Sequence, residues 1–260
     1  MADVINIGSS SDGNCFVVND GNVIFMLDLG FKYDEFQKKY KKQTGKYINA
    51  LGIDACFVSH RHQDHSRGVE SFLENCAEIY APESMKLPKM GIYGIAPGHS
   101  YRDNFLIFAA FPAIHKDLGK NMRGEEERRF GEMTVKIDCL GYVVAVRETG
   151  NIWLYLTDTS FILPPLENIT HAIIECNHDL DLIDDDDRSE LHILRALESH
   201  LSLQDVVNIL RNSNIKSLRK LYLMHNSRKN LDKKKAKAAI KEIFHGEIYF
   251  CKAEGGFDEI

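Results

Sequence analysis

Residues 59–68, SHRHQDHSRG, place His60, His62, Asp64 and His65 within six consecutive positions, and this stretch decides the reading of the chain. The pattern is H-x-H-x-D-H. Alternate histidines in an extended or tightly looped segment point the same way, so His60 and His62 can share one ion while Asp64 and His65 turn toward another. Imidazole and carboxylate donors together suit zinc, manganese or iron. The bland alternative, a polar surface loop with clustered histidines, is disfavoured by the ligand types and their spacing. The flanks agree. Ile53 to Ser59 (IDACFVS) reads as a short apolar strand and Val69 to Cys76 as a helix, which puts the ligands on a strand-to-helix loop.

At 260 residues the chain can bury one sizeable core, and no Pro- or Ser-rich linker divides it, so residues 1–260 are read as one domain. A hydrophobic content of 44% with 27% charged side chains excludes a disordered chain, and no apolar run approaches the roughly 18 residues of a membrane span. The opening MADVINIGSSSDGN lacks the basic and apolar regions of a secretory signal, so a cytoplasmic location is expected. The six cysteines, Cys15, Cys56, Cys76, Cys139, Cys176 and Cys251, form no C-x-x-C pair and are expected to be reduced, mostly buried thiols. The net charge of -6 conceals segregation: acids crowd Asp179 to Asp187, while Lys38 to Lys46 and Lys216 to Lys241 are rich in cations. A solvated helical face accounts for the second basic run as well as a phosphate-binding surface does.

Strand-like runs recur at Val4 to Ile7, Cys15 to Val18, Val23 to Asp28, Glu78 to Ala81, Leu106 to Phe111, Met133 to Cys139, Tyr142 to Arg147 and Ile152 to Thr157. Helical periodicity marks Tyr33 to Lys42, Ser189 to Ser199, Leu203 to Asn212 and Asp232 to Phe244, with strands expected at Leu221 to Met224 and Glu247 to Cys251. Ser202 and Asp232 read as helix N-caps, and Asn121 to Arg129 as an exposed loop or hairpin tip. Together these elements predict sheets covered by helices, a layered α/β arrangement.

Three further candidate ligands each follow a strand-like run: His115 after LIFAAFPAI, Asp158 after NIWLYLT, and His225 after KLYLM. A lone histidine there is usually a hydrogen-bonded polar residue, but three such positions accompany H-x-H-x-D-H. The set resembles the metallo-β-lactamase superfamily, which implies a four-layer αββα sandwich with a two-metal site along one edge of the paired sheets. The resemblance assigns His60, His62 and His115 to one ion, Asp64, His65 and His225 to the other, and Asp158 to both. Two divalent ions, zinc or manganese, are the implied cofactors. The ordered motifs GSSSDGNC, MLDLG, SHRHQDHSRGV, LTDTS, ECNHD, ESHLSLQD and LMHNS are similar to those of the YycJ (WalJ) type of single-domain nuclease, departing at Cys176, Ser199, Leu203 and Asn226.

Such a site implies a phosphodiesterase in which the ions acidify water and clamp a phosphoryl oxygen. The nucleophile is then solvent, and the leaving oxygen still needs a proton. His200 in ESHLS is the candidate donor, matched by a catalytic histidine in phosphodiesterases of the superfamily, with Glu175 orienting it. Asp64, His200 and Glu175 form the expected catalytic set. Ser227, Arg228, Lys229 and His178 are candidate substrate contacts, each with a solvated or structural alternative. His99, His171, His192 and His245 have no comparable setting and are read as structural or exposed. Gly8, Ser9, Ser10, Gly13 and Asn14 are expected to form a tight turn approaching the site. The leading expectation is a nuclease, DNA favoured and exonuclease-like. A phosphodiesterase of a small substrate such as a cyclic nucleotide is the alternative, followed by a lactone or thioester hydrolase and by a non-catalytic binding protein.

Overall fold

The computed structural model describes residues 2–75, 77–85, 91–113, 127–130, 133–136, 139–159, 166–183, 193 and 197–259. The first sheet holds β1 (Asp3–Ser10), β2 (Gly13–Asp20), β3 (Val23–Leu27), β4 (Ala55–Phe57), β5 (Ile79–Pro82) and β6 (Ile92–Ile95) in chain order. Its first three strands are antiparallel neighbours and the remainder run parallel from β3 onward. The second sheet has the order β15 (Glu247–Phe250), β14 (Lys220–Met224), β13 (His171–Glu175), β12 (Ile152–Leu156), β11 (Cys139–Val146), β8 (Leu106–Ala113), β7 (Ser100–Arg102). Here β12 to β15 are parallel, while β11, β8 and β7 are antiparallel. A separate hairpin pairs β9 (Glu127–Phe130) with β10 (Met133–Lys136).

Side-chain alternation explains how the sheets stack. On β2 and β3, Phe16, Val18, Phe25 and Leu27 enter the central core, while Cys15, Val17 and Met26 point to the other face. On β12 to β14, Trp153, Tyr155, Ile173, Tyr222 and Met224 enter the same central core, and Leu154, Leu156, Ala172, Ile174, Leu221 and Leu223 face away. Strands covered on both faces read as nearly continuous apolar runs. The outer face of the first sheet is covered by α1 (Tyr33–Thr44) and α3 (Val69–Glu74), through Phe36, Tyr40, Val69 and Phe72. The outer face of the second is covered by α5 (Leu203–Asn212) and α6 (Lys233–Lys241), through Leu203, Val206, Ile209, Leu210, Ala236 and Ile240. The result is the expected αββα order. Between the sheets, Phe25 meets Phe57 and Trp153 edge-on, at centroid separations of 6.1 and 6.0 Å.

Two short helices, α2 (Gln63–Ser66) and α4 (Leu180–Ile183), lie in loops. Both expected caps are present: Ser202 forms a reciprocal capping box with Asp205, and the Asp232 carboxylate accepts from the backbone N–H groups of Lys234 and Lys235. Cys15, Cys56, Cys139, Cys176 and Cys251 are buried. Most of the helix expected over Ser189 to Ser199, and the acidic positions Asp184 to Asp187, lie outside the described residues. So do positions 121–126 of the expected hairpin tip, whose remaining residues open β9.

At the end of the sandwich where β12 and β13 begin, His171 stacks on Trp153 at 4.2 Å, and the Trp153 indole N–H donates to the buried Asp20 carboxylate at 2.7 Å. Burial pushes the His171 pKa down to about 4. The ordinary value is about 6.5, so the unfolded chain takes up the proton first. Stability contributed by the neutral ring is complete above about pH 6.5 and is lost as pH falls toward 4. Chemical unfolding of wild type against His171→Phe across that window should show a slope in the wild type that the variant flattens.

Candidate metal centre

The candidate ligands arrive from the ends of strands on both sheets. Asp28 follows β3, His60 to His65 follow β4, Asp158 follows β12, Glu175 closes β13, and His225 follows β14. Asp28, Asp158 and His225 adopt positive φ values of 59°, 43° and 56°. Such backbone is costly for residues with side chains, and here it turns three strand ends sharply at one edge of the sandwich.

Three groups of donor atoms converge there, each group within 4.8 Å: His60, His62 and Asp158; Asp64, His65 and Asp158; and Asp158, Glu175, His200 and His225. Asp158 belongs to all three. Donors about 2.1 Å from one ion span at most ~4 Å, so each group needs only a small closure to hold a cation. The spacings agree: His60 Nε2 lies 3.0 Å from His62 Nδ1, and Asp158 Oδ2 lies 3.6 Å from His60 Nε2 and 3.3 Å from His65 Nε2. The donor set of imidazoles and carboxylates therefore fits divalent ions of the zinc or manganese type. His225 sits with Asp158 and Glu175, its Nδ1 at 3.1 and 2.9 Å from their carboxylates, and its ring centroid is 6.4 Å from that of His65. His115 lies outside the described residues.

Electrostatics favour positive charge at this point. Burial alone would raise the Asp158 pKa, yet His65 and His225 beside it hold the carboxyl well below the usual range. Asp64 is likewise lowered against its burial by the hydrogen bond and charge of His65. For His200, burial works downward, but Glu175 outweighs it and raises the imidazole above its ordinary value. His200 Nδ1 is 2.6 Å from Glu175 Oε1, and Glu175 Oε2 accepts the Leu201 backbone N–H at 3.2 Å. Glu175 is fully buried while the His200 side chain keeps partial exposure.

Sequence reasoning gave no role to Asp28. Its carboxylate, with no exposure, accepts from the Ser59 backbone N–H at 2.7 Å, the Ser59 hydroxyl at 2.9 Å, His65 Nδ1 at 2.5 Å and the Tyr155 hydroxyl. With the proton of His65 on Nδ1, Nε2 is left as the donor facing Asp64 and Asp158. The strand ending in MLDLG was the available signal. Asn14 also reaches the centre: its amide Nδ2 donates to Ser10 O at 3.0 Å and Asp64 Oδ2 at 3.3 Å, and lies 3.1 Å from His65 Nε2. The expected turn at Gly8 to Asn14 is the tip of the β1–β2 hairpin, and its Ser9 hydroxyl accepts the His225 backbone N–H at 2.7 Å.

Residues 28–31 thread between this hairpin and the histidine loop. Gly30 N–H donates to Asn14 O, Leu29 N–H to His65 O, and Gly68 N–H to Leu29 O. The passage has no room for side chains at two points: a Cβ at Gly30 would stand 2.1 Å from Asp64 O, and one at Gly68 would stand 2.0 Å from Phe31 O.

Of the expected substrate contacts, Arg228 and Lys229 are exposed, whereas Ser227 Oγ accepts the Asn230 backbone N–H at 3.2 Å. His178 is buried, and its backbone carbonyl accepts from Leu203 N–H. Asn177 ties the loops together, accepting Ser227 N–H and donating through Nδ2 to His225 O.

A family model described as the beta-lactamase superfamily domain matches residues 28–226, opening at Asp28 and closing one residue past His225. The chain belongs to the beta-lactamase superfamily. Solved structures with this fold include YhfI of Bacillus subtilis, described as a metallo-beta-lactamase fold protein, at 18% identity and a TM-score of 0.63, covering 98% of this chain and 99% of that one. The short form of human tRNase Z matches at 15% identity and 0.61, covering 100% and 99%. Yeast PDE1 matches at 12% and 0.63, covering 98% and 99%. At these identities the likeness is one of fold. No curated protein sequence matches the chain.

Asp28→Asn, which keeps size and removes charge, should weaken metal binding about 10- to 100-fold in a chelator competition while the protein stays folded. Gly68→Ala should lower stability by about 1–3 kcal/mol in thermal or chemical unfolding and reduce metal content, because the added methyl group displaces Phe31 and the loop behind His65.

Proposed function

We propose that the protein is a metal-dependent phosphodiesterase acting on nucleic acid, with DNA the favoured substrate and exonuclease-like cleavage. The observation that carries this reading is the meeting of all three donor groups on Asp158, with the Glu175–His200 pair placed against the same carboxylate at 4.0 Å. We assign His60, His62, Asp64, His65, Asp158 and His225, with His115, as the metal ligands. Divalent ions held there supply Lewis acidity, lowering the pKa of water and offsetting charge on phosphoryl oxygens.

The protein's own groups do the rest. Asp158 holds the two halves of the ligand set in register. Glu175 orients His200 through Nδ1 and stabilises its protonated form, so its other nitrogen can deliver a proton to the departing oxygen. Glu175 also contacts His225, which couples the proton donor to the ligand cluster. Arg228 and Lys229 stand exposed on the loop after β14, where they can meet phosphate. A fold shared with human tRNase Z is consistent with a nucleic-acid substrate. No helix among the described residues is long and apolar enough to cross a membrane.

Purified protein should carry zinc or manganese, and a panel of labelled DNA, RNA and cyclic nucleotides should show cleavage of the DNA strand. Hydrolysis of small diesters alone would move the assignment to a small-substrate phosphodiesterase. His200→Ala should slow turnover by about a hundred-fold or more with metal content unchanged. Asp158→Ala should abolish turnover and lose metal. Loss of metal in His200→Ala would overturn its role as proton donor.

A further inference from the structure

We propose that the solvent face of α1, with the hollow between this helix and residues 47–49, binds single-stranded nucleic acid and leads it to the metal centre. The proposal rests on the nuclease reading above and adds the path of the strand.

The helix separates its residues cleanly. Phe36, Gln37 and Tyr40 face the first sheet, and a rotation of about 100° per residue places Lys38, Lys41 and Lys42 outward, with Lys39 at the border. Lys46 follows, exposed, just past the helix. The acids of this segment, Asp34 and Glu35, are confined to the first turn, and Glu35 faces Arg67 at 4.0 Å. Among the described residues, none of Lys38, Lys39, Lys41, Lys42 or Lys46 forms an ion pair.

The other basic run is spent differently. On α6, Lys233 pairs with Asp258 at 2.5 Å, Lys235 with Asp179 and Asp181 at 2.8 Å each, and Lys241 donates to Gly246 O at 2.6 Å. These three charges are used within the protein, whereas those of Lys38, Lys41, Lys42 and Lys46 are available to a polyanion.

Aromatic surface adjoins these cations. Tyr47 is 61% exposed, with Lys41 Nζ 4.4 Å from its ring centroid. Tyr33, Asp34, Lys38, Tyr47 and Asn49 line a hollow of about 590 Å³. A ring to stack on beside an ammonium group is the combination that sequence-tolerant single-strand binders use. The helix is also joined to the centre: Lys39 Nζ lies 4.5 Å over the Phe31 ring, and Arg67 lies 5.8 Å from the same ring. Phe31 in turn packs against Gly8 and Gly13 in the hairpin that delivers Asn14. From there α1 runs about 18 Å, with its two acids in the first turn and the outward lysines beyond them.

The test uses the metal-loaded full chain and a fluorescein-labelled, phosphorothioate-protected oligo-dT of about 15 nucleotides, followed by anisotropy across a salt series. A Lys38→Glu, Lys41→Glu, Lys42→Glu variant should bind at least about tenfold more weakly, with the slope of log K against log salt reduced by about two. Tyr47→Ala should weaken binding about fivefold or more with the slope unchanged. Both should hydrolyse bis(p-nitrophenyl) phosphate at the wild-type rate, and Lys234→Glu on α6 should change nothing. If the triple variant does not fold, the corresponding glutamine variant provides the same comparison. Wild-type affinity and slope in a folded triple variant would overturn the proposal, as would equally tight binding of poly-glutamate that ignores Tyr47→Ala. Wild-type protein that hydrolyses the small diester but neither binds the protected probe nor cuts unmodified oligo-dT would instead overturn the nuclease reading itself.

Discussion

A carboxylate with no access to water organises the edge of this sandwich. Burying the charge of Asp28 is tolerable only because four donors converge on it. Those donors come from different parts of the fold: Ser59 and His65 from the segment after β4, and Tyr155 from β12 in the opposite sheet. The bond to Tyr155 therefore joins the two sheets at the point where Asp158 leaves the same strand, three residues later. Burial and the nearby Asp28 charge hold the Tyr155 pKa well above its ordinary value, so the phenol remains a donor. The same carboxylate sets which nitrogen of His65 faces the cluster. Spacing between sheets and orientation of a candidate ligand thus depend on one residue.

The backbone carries a matching constraint. The parallel strands β3, β4, β12, β13 and β14 all deliver chemistry-bearing residues just past or at their C-terminal ends, and three of those residues are held in the left-handed region. Strain concentrated at such positions persists when the surroundings over-determine it. The surroundings here are specific: Asp28 N–H donates to Phe57 O, His225 N–H to the Ser9 hydroxyl, and Thr157 Oγ1 to the Asp158 carboxylate. Glycine occupies both points where the backbones around the histidine loop nearly touch, Gly30 and Gly68.

What the sequence made legible follows from locality. H-x-H-x-D-H is compact, and Asp158 and His225 each close an apolar run, so pattern alone placed them at strand ends and, through family resemblance, together. The Glu175–His200 pairing was legible for the same reason, since one residue ends HAII and the other precedes a capped helix. Asp28 closes MLDL in a similar way, but its significance comes from Ser59, His65 and Tyr155, partners at separations of 31 to 127 residues. No local pattern records such contacts. The strand His171–Glu175 was hidden because all five residues are buried, which removes the alternation that marks a half-exposed strand. β6 and β7 are four- and three-residue strands, too short for a period to register.

Charge gives the clearest case of a property that composition misstates. A net charge of -6 argues against a polyanion partner only if charges act as a sum, and at physiological ionic strength they are screened over about 8 Å. Local balance then decides. Asp179 and Asp181, which open the acidic tract, are already paired with Lys235, so part of the apparent repulsion is cancelled by part of the apparent attraction. What remains on the described surface includes the lysine face of α1 and the exposed Arg228 and Lys229 after β14. A nucleic-acid strand approaching this protein would meet that face, and the acidity of the whole chain would matter chiefly for its solubility.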